Sequence, residues 1–176
     1  KYPFIDGIDL DWEYPGVNRA ADGNDSYDKG CQGGPEDKAN FTALLKEIRA
    51  AYNANNMSNK QLTIAVSVNQ ETVAAGQDPA AYQQYLNNIN LMSYDMHGAF
   101  ERTTNHHSAI FANPNDPSSP AYVKTTFNAK SAGELFVSLG VPANKISIGS
   151  PFYSRGWGGV AAGPNGNGLF QTATGY

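Results

Sequence analysis

An α/β fold on a parallel sheet is predicted from three observations. Strand-like segments alternate with segments of helical spacing, the first strand carries acids on one face and apolar residues on the other, and 176 residues at 40% apolar content can bury a core. Residues 4–13 alternate with period two: Ile8, Leu10 and Trp12 fall on one face, and Asp9, Asp11 and Glu13 on the other. Asp6 has the wrong parity for that row unless Gly7 carries a bulge, so a structural hydrogen-bonding role is expected for it. Residues 14–35 hold five Gly, two Pro, three Asp and two Asn without periodicity. They read as a long loop leaving the strand's C-terminal end, and loops of that length are usually functional.

Pro35, Glu36 and Asp37 open a helix with a proline and acids in its first turn, and Phe41, Leu44, Leu45, Ile48 and Tyr52 follow at helical spacing until residues 53–59 break it. A second strand is expected over 62–69, a short helix over 80–86, and a third strand over 89–95. After a Pro- and Asn-rich loop at 113–120, Ala132, Leu135, Phe136 and Leu139 form a helix face that Gly140 closes, and a fourth strand runs from 145 to about 153. Strands joined through helices make parallel βαβ units. Four of them fit an open doubly wound sheet or part of a (β/α)₈ barrel, which typically needs ~250 residues. The chain starts without Met and enters a strand almost at once, and residues 156–176 hold seven Gly and close on no helix or strand. Both ends therefore read as cuts in a longer protein.

Composition narrows the function classes. A formal charge of -4, from 12 Lys plus Arg against 16 Asp plus Glu, and the lack of a basic run give no footprint for nucleic acid or an anionic membrane. Apolar runs such as Ile64 to Val68 are far shorter than the ~20 residues that span a bilayer. Cys31 is the one cysteine, so no disulfide forms within the chain. His97, His106 and His107 lack the spacing of a metal set, and neither metal nor cofactor is expected.

At ~6.6 Å intervals along one strand face, Asp9, Asp11 and Glu13 form a carboxylate ladder. Repulsion and desolvation keep at least one of three such acids protonated near neutral pH, as an acid that donates to a leaving group requires. Glu13, nearest the strand's C-terminal end, is the best placed donor, because barrel active sites lie there. Two other readings stay open. The row can be the solvated face of an edge strand, or Asp9 and Asp11 can bind a divalent ion, which leaves Glu13 unexplained.

The string Asp6-Gly7-Ile8-Asp9-Leu10-Asp11-Trp12-Glu13-Tyr14-Pro15 resembles the DxxDxDxE signature of glycoside hydrolase family 18, the chitinases. Leu91-Met92-Ser93-Tyr94-Asp95-Met96-His97-Gly98 is similar to the family's sixth strand, and Pro151-Phe152-Tyr153-Ser154-Arg155-Gly156-Trp157 to its seventh. The resemblance covers essentially the whole chain and is strongest to bacterial chitinases. It implies strands four to seven of a (β/α)₈ TIM barrel over residues 1–156, and the start of an α+β insertion over 157–176. Two open barrel edges then predict that these strands alone aggregate and turn nothing over.

The resemblance further implies retaining, substrate-assisted hydrolysis of β-1,4-linked N-acetylglucosamine polymers. Glu13 is the implied acid and base, Asp11 the partner of the acetamido N–H, Asp9 the group that shares a proton with Asp11, and Tyr94 the donor to the acetamido oxygen. Asp95, Met92, Tyr153 and Arg155 match substrate-contacting positions, with Arg155 either clamping sugar or pairing with an acid. Tyr14 and Phe100 are candidate aromatic platforms, Trp12 is expected against a helix, and Trp157 in the cleft or against the insertion. Chitin and its oligomers are the implied partners of a secreted protein that is monomeric at full length. Lectin-like members lose the acid at the position of Glu13, which this chain keeps. Endo-acting N-acetylglucosaminidases on N-glycans share the ladder, and the Ala99-Phe100 pair and the insertion favour chitin.

Overall fold

The computed structural model describes residues 4–21, 23 and 25–175. Four strands, β1 (Gly7–Asp11), β2 (Gln61–Ser67), β3 (Asn88–Met92) and β4 (Ile146–Ile148), pair in parallel in the order of the sequence. Between them lie α1 (Asp37–Ala54), then α2 (Gln70–Gly76) and α3 (Pro79–Tyr82), then α4 (Ala121–Thr126) and α5 (Ala129–Ser138). Sequential order without reversal separates a barrel from a doubly wound sheet, whose strand order turns back at a switch point. The chain therefore has a TIM-barrel-like α/β fold.

Period-two alternation decides which face the helices cover. Leu62, Ile64 and Val66 of β2 and Ile89 and Leu91 of β3 are buried, and they meet Phe41, Leu45 and Tyr52 of α1, Val73 of α2, Tyr82 of α3 and Phe136 of α5. Leu10 and Trp12 pack onto the same cluster. Trp12 thus faces α1, as expected, with its ring edge-to-face on Phe41 at 5.7 Å. The other face carries Asp9 opposite Thr63, Asp11 opposite Ala65, Thr63 opposite Asn88, and Asn90 opposite Ser147. It is largely polar, with Ala65 and Met92 as its apolar members.

Helix ends follow local chemistry. Asn69 caps α2 by accepting from the Glu71 and Thr72 amides, Asp78 caps α3 ahead of Pro79, and Asn128 caps α5 by accepting from the Ser131 amide. Gly140, at φ +90°, turns the chain out of α5. Gly76, the last residue of α2, lies so close to Pro15 that a Cβ there would collide with the Pro15 carbonyl. This contact lets α2 brace the chain just beyond Glu13.

Several boundaries differ from expectation. The first strand is Gly7–Asp11 rather than 4–13, because its ladder with β2 runs only from Gly7 to Asp11. The fourth is Ile146–Ile148 rather than 145–153, since only Ile89 to Leu91 of β3 face it. The third stops at Met92, and at Asp95 φ is +55°, which no strand accommodates. Helices α2 and α4 were absent from the sequence-based expectation: α2 continues directly from the predicted second strand through the Asn69 cap, and α4 has too few turns to show a periodic face. The Asp6 carbonyl accepts from the Gln61 amide at 2.8 Å, a backbone bond that does not depend on the acid itself.

Candidate active site

The C-terminal ends of β1 and β3 open into a cleft of about 240 Å³ lined by Asp11, Glu13, Tyr14, Ser67, Val68, Met92, Tyr94, Asp95 and Phe127. Six of the ten residues singled out from sequence meet there. Asp9 lies one step down the strand, where one of its oxygens accepts from the Thr63 hydroxyl and, at 3.1 Å, from the Asn90 amide. Asn88 extends the network, donating to Asn90 at 2.7 Å and to Ser147 at 2.9 Å. Polar side chains of all four strands thus anchor the base of the ladder.

The acids stand on a face that is open among the described residues: Asp9, Asp11 and Glu13 are exposed, where a buried row had been expected. Proximity still perturbs Asp11. Burial raises the Asp11 carboxyl above the usual aspartate range, and so do the charge of Glu13, a hydrogen bond shared with Glu13, and the charge of Asp9. In the pH range just above 3.8 the folded chain therefore binds the Asp11 proton more tightly than the unfolded chain does, so this group's contribution to stability falls as pH rises through that range. Asp11→Asn removes that dependence. Melting scans are expected to place its Tm about 1–3 °C above the parent at pH 7 and level with it at pH 3.5, a small effect because the site is solvated. Equal melting points at both pH values would show that the ladder is unstrained.

Burial and the surrounding carboxylates Asp11, Asp95, Glu13 and Asp9 raise the Tyr94 phenol. Burial and Glu13 do the same to Tyr14. Both hydroxyls stay protonated and able to donate. Asp95 accepts from the Tyr153 hydroxyl and from Arg155 Nε, each at 2.7 Å, and these donors hold its carboxyl below the usual range against the opposing effect of burial. Burial and the bond to Asp95 push the Tyr153 phenol up to about 12. Of the two readings of Arg155, pairing with an acid is the one seen. Tyr153 and Arg155 form a rim attached through Asp95, whereas Phe100 is exposed and lines a separate cavity with Ala99, Glu101, Arg102 and Ala173 to Gly175.

The long loop is closed on itself. Gly16 and Gly34, near its two ends, both donate backbone N–H to Asp37 Oδ2 at 3.0 Å. Arg19 and Cys31 exchange backbone bonds of 2.8 and 2.9 Å, and the Arg19 guanidinium grips Asp28 with two bonds. Arg19 Nε reaches the Glu13 carbonyl at 3.4 Å. Asp11, Trp12, Glu13, Arg19 and Cys31 line a second cleft of about 600 Å³, so the acid pair borders both. Trp157 donates its indole N–H to the Glu101 carbonyl at 2.9 Å, packing against the preceding segment.

Among the described residues no three His, Cys, Asp or Glu side chains gather as a metal site, and no helix is long and apolar enough to cross a membrane. Sequence reasoning missed Thr63, Ser67 and Asn90, although their parity against Leu62, Ile64, Val66, Ile89 and Leu91 marks them as facing the ladder. It also missed Phe127, which enters from an irregular segment with no periodic signal.

Similarity to known proteins extends over this whole arrangement. The chain is 38% identical to chitinase A1 of Niallia circulans over 99% of its own length and 24% of that protein's. It is 33% identical to chitotriosidase-1 of Mus musculus over 97% of its length and 34% of that protein's. It thus spans about a quarter to a third of these relatives. Among solved structures it matches chitinase ChiA74 from Bacillus thuringiensis with a TM-score of 0.79 and 38% identity, over 95% of this chain and 25% of that one. A glycoside hydrolase family 18 N-acetylglucosaminidase from Paenibacillus barengoltzii gives a TM-score of 0.77 at 35% identity, over 97% and 45%. The family model described as glycosyl hydrolases family 18 matches residues 1–175, and the chain belongs to that family.

Proposed function

We propose that the chain is the catalytic part of a chitinase that cleaves β-1,4-linked N-acetylglucosamine polymers with retention of configuration. The observation that carries this reading is the meeting of Asp11, Glu13, Tyr94 and Asp95 in one cleft at the C-terminal ends of parallel strands. In this assignment β1 to β4 are strands four to seven of the barrel within residues 1–156, and residues 157–176 begin an α+β insertion.

Glu13 gives its proton to the glycosidic oxygen as the bond from that oxygen to the anomeric carbon breaks. The acetamido carbonyl oxygen of the same sugar attacks the anomeric carbon from the opposite face, forming an oxazolinium ion. Glu13, now a carboxylate, takes a proton from the water that attacks the anomeric carbon, and the ring reopens with its configuration retained. Asp11 accepts the acetamido N–H and offsets the positive charge that develops, a task its bond to Glu13 prepares by linking the two carboxyls. Asp9, held by Thr63 and Asn90, steadies Asp11 from below and shares its proton. Tyr94 donates to the acetamido oxygen and aligns it, replacing a bimolecular encounter with an intramolecular one. Asp95, Met92, Tyr153 and Arg155 contact the sugar, and Tyr14 offers a ring face to a neighbouring unit. No metal or cofactor enters any step.

Chitin and its oligomers are the substrates, and the full-length protein acts as a secreted monomer. The test is hydrolysis of the N-acetylglucosamine tetramer by the full-length protein, with the anomer of the fresh product read by proton NMR. A β product is expected, and an initial α product would overturn the retaining mechanism.

A further inference from the structure

One group beside the cleft has no part in the steps above. His107 is tied to the segment after β3 through its carbonyl, which accepts the Met96 amide at 3.0 Å, and its ring lies 5.5 Å from the ring of Tyr153. Its Nδ1 is buried without a hydrogen-bond partner among the described residues and faces Asp95 Oδ1 at 3.8 Å, too far for a bond. The same Oδ1 accepts from Arg155 Nε, while the other oxygen holds the Tyr153 hydroxyl. Buried polar nitrogens normally find a partner, and a carboxylate oxygen has lone pairs for two donors. Asp95 is fixed by its left-handed backbone at φ +55°, whereas Arg155 is a largely exposed side chain lying over the Tyr153 ring.

We infer that His107 is a positioning residue, a reserve donor that closes onto Asp95 Oδ1 when Arg155 leaves that oxygen for a sugar hydroxyl. The exchange keeps Asp95 oriented and ionised while Arg155 is engaged elsewhere, so ligand binding does not strand the carboxylate. The groups facing His107 are Asp95 on its own connection and Tyr153 and Arg155 from the segment after β4, with Tyr94 behind Tyr153. The inference rests on the chitinase reading for its kinetic consequence but not for its structural one.

Two variants of the full-length protein separate donor from packing: His107→Phe keeps a ring on Tyr153 and removes the donor, and His107→Asn keeps an N–H near the Nδ1 position. With the tetramer, His107→Phe is expected to raise KM about tenfold with kcat within about twofold, and His107→Asn to recover most of the loss. Equal kinetics in the parent and both variants would overturn the inference. The second readout needs no turnover. In an Arg155→Ala background, carbon-13 NMR of the Asp95 carboxyl is expected to show its titration about one pH unit higher when His107→Phe is added. Coincident titrations there would overturn the inference even in an active enzyme. If no form hydrolyses the tetramer, the chitinase reading fails and the titration alone decides the role of His107.

Discussion

Glu13→Gln in the full-length protein is expected to lower kcat on the N-acetylglucosamine tetramer by about 10²–10⁴-fold, the range a positioned general acid supplies. That corresponds to about 3–5 kcal/mol of transition-state stabilisation. Glutamine keeps the size and the hydrogen-bonding outline of the side chain, so oligomer binding is expected to stay within about threefold of the parent, as measured by calorimetry. The split between turnover and binding is the informative feature. Glu13 borders both clefts, so the proposed mechanism gives the proton transfer to a position that no neighbouring group fills. Asp11 is the nearest other acid, one pleat back along the strand face, and the proposed mechanism assigns it to the acetamido side of the sugar. Equal turnover in parent and variant would remove Glu13 from the mechanism. Tetramer binding with no turnover in the parent itself would favour a lectin-like member of the family.

Most of this site is legible because strand periodicity is a local property. The order Asp9, Asp11, Glu13 against Leu10 and Trp12 fixes the ladder's face, and the crossover helices fix which face they cover. Tyr94 and Asp95 come from the second motif, through its resemblance to the family's sixth strand, and they stand at a strand's C-terminal end, where a barrel places chemistry. The remainder depends on distant contacts that no local pattern encodes. Phe127 reaches the cleft from a segment between α4 and α5, and His107 meets Asp95 because the chain doubles back to give its carbonyl to Met96. The grip of Arg19 on Asp28 and its reach to the Glu13 carbonyl belong to a loop whose shape is set by its own hydrogen bonds. Strand lengths were overestimated for a related reason. Apolar composition at residues 151–153 resembles a strand, but a strand ends where its partner's ladder ends, here at Leu91 opposite Ile148. Phe100 shows the converse limit: sequence places an aromatic near the third strand's end, and the fold turns it to a different cavity.

Phe41→Ala is expected to cost about 3–5 kcal/mol, the range for deleting a buried aromatic ring, and to lower Tm by about 10 °C or more. Phe41 is 2% exposed and stands between two other rings, edge-to-face with Trp12 at 5.7 Å and with Tyr82 at 5.9 Å. Its removal therefore opens a cavity and also breaks two aromatic contacts, each worth about 0.5–1.5 kcal/mol beyond the area they bury. The consequence reaches the chemistry because Trp12 lies between Asp11 and Glu13 in sequence and is their counterweight on the helix side of the sheet. With Trp12 loosened, Asp11 and Glu13, which flank it in sequence, lose their support on the helix side of the sheet. Well below its own melting point, Phe41→Ala is accordingly expected to lose about tenfold in kcat, since small displacements of a reacting group are costly. Phe41→Leu, which keeps most of the volume, is expected to lose less than half as much stability and little activity. A Phe41→Ala protein with a depressed Tm and the parent's kcat would show that α1 supports the barrel wall without positioning the acids. One that melts within about 2 °C of the parent would show that the three-ring stack contributes little to holding α1 on the sheet.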